Sequence, residues 1–145
     1  MSGTRARQIR KDVATALQSA ALDRRVGVND RLLWIKTARR PESAPERAFR
    51  LVTAAPGSRD PNVMTSNLFR LELTIEIYYT TGDETEDRIQ DDFERIWWLL
   101  ETLHTVNAHI EHTDPSPLGV EETQNNTIAR ISLIVLYRLD DSLVN

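Results

Sequence analysis

The feature that most constrains this chain is residues 68–79, LFRLELTIEIYY. Phe69, Leu71, Leu73, Ile75, Ile77 and Tyr79 fall on one face of an extended backbone; Leu68, Arg70, Glu72, Thr74, Glu76 and Tyr78 fall on the other. Period-two alternation sustained over twelve residues predicts a long strand with one buried face and one mostly polar face. Strands of a parallel sheet are buried on both faces and lose this alternation, so the pattern asks for an antiparallel-type sheet. Residues 126–140 repeat it, with Ile131, Leu133, Val135, Tyr137 and Leu139 alternating with Arg130, Ser132, Ile134, Leu136 and Arg138. If the two strands are neighbours, Arg130 and Arg138 are placed to pair with Glu72 and Glu76.

Such a sheet needs cover on its apolar face. Asp83 followed by Glu86 reads as a capping box, and Glu84, Glu86 and Asp87 suit the positive end of a helix dipole. Ile89, Phe93, Ile96, Trp97, Leu100 and Leu103 then form a wide apolar stripe. Asp91, Asp92 and Glu94 are assigned to the solvated side of this helix, and Trp98, rotated about 100° from Trp97, to the stripe's margin or beyond it. A second helix is expected at residues 4–22, with Thr4 as N-cap and Ile9, Val13, Ala16, Leu17 and Ala20 on one stripe. Its start is basic (Arg5, Arg7, Arg10, Lys11), which opposes the dipole.

Residues 31–37 and 47–53 read as a hairpin around a proline-bearing loop at 38–47, and Pro56, Gly57 and Pro61 mark a second loop at 55–67. A short strand is expected at 108–113, followed by a loop at 114–125 with Pro115 and Pro117. The sum is one α+β domain over residues 1–145: a single antiparallel-type sheet of about four to five strands, packed by an N-terminal helix and a central amphipathic helix.

Composition removes several functions. With 40% hydrophobic and 28% charged residues the chain can bury a core, and with no cysteine it has no disulfide scaffold, cysteine nucleophile or thiolate zinc site. No apolar run of about eighteen residues and no apolar stretch behind the basic start are found, so neither a membrane span nor a secretory signal is expected. His104, His109 and His112 lack metal-ligand spacing, and the P-loop, GxGxxG, GxSxG and HExxH patterns are absent. No enzyme and no cofactor are expected. The net charge of −4 hides a division: residues 1–60 hold 13 Lys/Arg against 6 Asp/Glu, and residues 61–145 hold 5 against 16. A basic half and an acidic half can attract within one fold, between neighbouring copies, or present separate faces to partners.

From about residue 67 to residue 140 the chain resembles the tail terminator (tail completion) proteins of tailed bacteriophages. The resemblance lies in RLELTIEIYY leading through Gly82-Asp83 into an amphipathic helix, then a loop with proline and a final strand, IARISLIVLYR. It implies a structural virion protein in the neck region of the tail, present in the host cytoplasm during assembly. Proteins of that family form a ring, commonly a hexamer, at the head-proximal end of the tail tube, where it stops addition of the major tail tube protein. The ring then offers a surface to the head-completion or connector protein, with DNA only passing through its lumen.

No functional residue carries over by motif. Chemistry and placement nominate Arg5, Arg7, Arg10, Arg39, Arg40 and Trp98 for subunit or partner contacts. They nominate Glu72, Glu76, Glu121 and Glu122 for an acidic lumen along which DNA slides, with ordinary surface charge as the competing reading. Three other functions compete: a head-completion or connector protein of the same neck, a non-viral cytoplasmic adaptor dimerising through a strand edge, and a nucleic-acid binder using Arg5, Arg7, Arg24 and Arg25.

Overall fold

The computed structural model describes residues 5–22, 30–59, 67–107, 109–123 and 125–139. Helix α1 (Arg5–Ser19) is followed by strands β1 (Leu33–Trp34), β2 (Ala48–Arg59) and β3 (Leu68–Thr80), helix α2 (Thr85–Glu101), a single turn α3 (Leu103–Val106), and strands β4 (Ile110–Glu122) and β5 (Asn126–Arg138). The five strands form one sheet in the order β1-β2-β3-β5-β4. The fold is α+β, with α1 and α2 packed on one face.

The alternation at 68–79 is realised as β3, the central strand. Leu71, Leu73, Ile75, Ile77 and Tyr79 are all buried, as are Ile131, Leu133, Val135 and Tyr137 of β5 beside them. They meet Ile9, Val13 and Leu17 from α1 and Ile96 and Leu100 from α2 in one core. Each such side chain contributes roughly 1.5–3 kcal/mol when removed from water. The opposite face is polar at its middle but closes over at one end, where Ala48, Tyr78 and Ile128 pack with Ile35 and Ala44. Residues 35–47, which contain neither helix nor strand, cross that outer face.

Four expectations are corrected. Residues 31–37 and 47–53 do not make a hairpin: β1 is two residues long and runs parallel to β2, pairing Leu33 with Ala48 and Trp34 with Phe49. The intervening segment is long enough to cross the sheet and re-enter in the original direction, so the sheet is mixed. The first five residues of the loop expected at 55–67 are strand instead: β2 continues to Arg59 and absorbs Pro56 and Gly57 through register shifts after Thr53 and after Ala55. Residues 60–66 lie outside those described.

The loop expected at 114–125 is instead the body of β4, which runs through Pro115 and Pro117. An edge strand tolerates proline because one side of its backbone has no ladder partner. The capping box is also replaced. Glu84 precedes the helix without a side-chain cap, and Thr85 organises the turn, its hydroxyl donating to Thr80 O (2.9 Å) and accepting from Gly82 N (2.8 Å). Thr4 lies outside the described residues.

Candidate functional site

Two charged assemblies stand out, one inside the domain and one on its outer face. Inside, Arg47 and Asp92 are both fully buried. The guanidinium donates from Nε to Asp92 Oδ2 (2.8 Å) and from Nη2 to Oδ1 (2.9 Å), and the Tyr79 hydroxyl donates to Oδ2 (3.1 Å). Burial first, and the Asp92 carboxylate second, hold the Tyr79 phenol protonated well above its ordinary range. Arg47 adopts φ +60°, a left-handed conformation costing an arginine about 1–2 kcal/mol. Its neighbour Glu46 pairs with Arg88 (2.5 Å) and accepts from Thr80 N (2.6 Å). Two adjacent residues of opposite sign thus clamp the entry of β2 to two α2 residues one turn apart.

This clamp corrects the assignment of Asp92 to a solvated face. The signal was present in the sequence: Asp92 is three residues after Ile89 and four before Ile96, which places it within the apolar stripe. A carboxylate there requires a buried cation. Nothing in the local pattern around Arg47 announces that it is the one.

On the outer face a ladder of charges crosses the sheet. Glu76 of β3 lies opposite Arg50 of β2 and Arg130 of β5 in the strand register. It accepts from Arg50 Nε (2.5 Å) and Arg130 Nε (3.0 Å), and Tyr78 donates its hydroxyl to it (3.2 Å). Arg130 also bonds Glu121 of β4 (2.9 Å), which pairs in turn with Arg40 (2.9 Å). Arg40 therefore carries the 35–47 segment across the sheet to its far edge. The Arg130–Glu76 pair is one of those anticipated from neighbouring long strands. Arg138 instead pairs with Glu111 (2.8 Å), and Glu72 with Arg70 (3.3 Å).

Desolvation pushes the Glu76 carboxyl up, but hydrogen bonds and charge from Arg50 and Arg130 outweigh it, and the group titrates below its ordinary value of 4.5. A carboxylate whose folded pKa is depressed stabilises the fold above its unfolded pKa and loses that contribution as pH falls through the folded one. The Tm of the wild type is therefore expected to fall more steeply than that of Glu76→Gln between about pH 5 and pH 3. Parallel Tm curves for the two proteins would remove Glu76 from the acid response.

The nominated contact residues divide. Arg5 is 8% exposed, a buried residue at the start of α1 rather than a surface cation. Arg10 donates to Thr53 Oγ1 and to Leu51 O (3.4 Å), which fixes α1 against β2. Arg7 and Arg39 are exposed, and Arg40 is held in the ladder. Trp98 is 67% exposed and stands edge-on to Trp97. Of the acidic candidates, Glu76 and Glu121 are each shared between two arginines rather than forming a bare anionic wall; Glu122 is exposed. Arg24 and Arg25 lie outside the described residues.

Among the described residues no group of three or more His, Asp or Glu is placed to hold a metal ion. No helix among them is long and apolar enough to cross a membrane. A scan against protein-family models finds no match, and no curated protein matches the sequence significantly.

Proposed function

We propose that this chain is a structural, non-enzymatic virion protein: a tail terminator that forms a ring, with a hexamer as the expected order, at the head-proximal end of a bacteriophage tail tube. In this reading it stops tube polymerisation and receives the head-completion protein. The observation that carries it is the β4 side of the molecule. Leu118 and Val120 of β4 are 60% and 58% exposed; Trp98, 67% exposed among Asp91, Glu94 and Arg95 on the outer face of α2, is a separate exposed apolar side chain. The same strand carries Glu111, Asp114, Glu121 and Glu122 and no Lys or Arg. Glu111 and Glu121 are held by Arg138, Arg130 and Arg40 within the fold, so Asp114 and Glu122, both exposed, are the acidic groups that stand beside these large apolar side chains, a combination that suits a subunit contact. The first sixty residues, with their excess of Lys and Arg, supply a complement of opposite sign on the next copy. Two unlike patches join head to tail, the arrangement that closes into a ring.

The test is an early stop codon in this gene in a phage that carries it, followed by negative-stain electron microscopy of the lysate. Overlong, headless tails beside filled heads are expected. Free tails of normal length beside unjoined heads would move the assignment to head completion, and intact infectious particles would overturn both.

A further inference from the structure

The two edges of the sheet differ in whether they can accept another strand. On β4, Pro115 and Pro117 are two residues apart and so turn the same side of the backbone in one direction. Because β4 keeps its ladder with β5 through both, that side is the outer edge, and it lacks two donors. At the other edge, β1 covers β2 only at Ala48 and Phe49. Ile35 donates to Phe49 O (2.8 Å), after which the chain turns away, with Thr37 N bonded back to Ile35 O (3.1 Å). Backbone alternation then aims the main-chain groups of Leu51 and Thr53 along the same open edge as those of Phe49. Among the described residues no strand covers them on that side.

This open edge forms the floor of a groove of about 720 Å³ between α1 and residues 34–38. Arg10, Lys11, Lys36 and Arg50 line it, with no carboxylate among the lining residues. Lys36 lies over the Trp34 ring, 4.8 Å from its centroid. Arg10 reaches Leu51 O at a long 3.4 Å, the position that the next rung of a ladder would use.

We propose that this groove binds an extended acidic segment of another protein, which adds to the sheet as a strand beside β2 and continues the line of β1. An incoming amide replaces the long Arg10 contact at Leu51 O, and the released guanidinium, with Lys11 and Lys36, receives carboxylates of the segment. A second copy of this chain is the poorer occupant: β4 is blunted by its prolines, and pairing β2 with β2 sets like charges together. The proposal holds independently of the ring reading.

The probe is a fluorescein-labelled synthetic peptide of alternating Glu and Val, used with the full chain and read by anisotropy and by the backbone amide resonances of Leu51 and Thr53. Strand addition draws its affinity from main-chain bonds, so a generic sequence suffices. Saturable binding that shifts those two amides is expected. It should weaken about tenfold in Lys11→Glu/Lys36→Glu, whose two sites are exposed and whose melting curve checks the fold. The same peptide N-methylated at alternate residues should not bind the wild type. Equal binding of the methylated peptide, displacement by a single-stranded oligonucleotide, or no saturable binding up to about 1 mM would each overturn the proposal.

Discussion

Asp92→Ala is expected to lower the unfolding free energy by about 3–5 kcal/mol, because it leaves a fully buried guanidinium without its bidentate partner. The substitution also removes the acceptor of the Tyr79 hydroxyl. In a urea titration the midpoint should move to much lower denaturant with little change in slope, the sign of altered stability rather than an altered unfolded state. Arg47→Gly is informative beside it. Glycine removes the strain at φ +60° but leaves the Asp92 carboxylate buried, so relief of strain should not rescue the loss. The double replacement Arg47→Met/Asp92→Leu should recover much of the deficit, since an apolar pair of similar volume leaves no buried charge. A loss below about 1 kcal/mol for Asp92→Ala would show that the clamp does not hold β2 to α2.

Gly57→Val is expected to cost about 1–3 kcal/mol through overpacking. A Cβ at this position would overlap the Tyr137 hydroxyl, lie 3.3 Å from the ring carbon that bears it, and lie 3.5 Å from the Ala6 Cβ. Tyr137 is buried and its ring packs against Phe69, with centroids 5.9 Å apart, so it has little room to withdraw. Removing the hydroxyl relieves the closest overlap, so Tyr137→Phe should restore part of the loss in the double mutant, a non-additivity readable from thermal melts of the four proteins. Additive effects would show that β2 moves aside instead.

Legibility in the sequence followed how each interaction is distributed along the chain. β3 and β5 were readable because burial of one sheet face imposes a period of two on every residue of the strand. The apolar stripe of α2 was readable for the matching reason at a period of 3.6. β1 was not, since two residues are too few to carry a period, and their parallel pairing depends on where residues 35–47 travel. β4 was hidden because proline argues against a strand in general but not against an outer edge, and edge status is a property of the sheet. Of the candidate site, Glu76 with Arg130 was legible from cross-strand pairing. The extension of that pair through Glu121 to Arg40 was not, because it joins residues 81 positions apart through a segment without regular structure.

The sequence by itself determined the α+β class, the long central strands, the face of the sheet that is buried and the charge division between the two halves. These are sums of local periodicity and composition, and every residue in a segment votes on them. The tertiary structure alone decided the distant pairings: that Arg47 is the partner of Asp92, that Glu121 joins Arg130 to Arg40, and that one sheet edge carries two prolines while, among the described residues, no strand covers Leu51 and Thr53 at the other. Those outcomes rest on single contacts between distant residues, where burial converts a side chain's chemistry into a requirement for one particular partner.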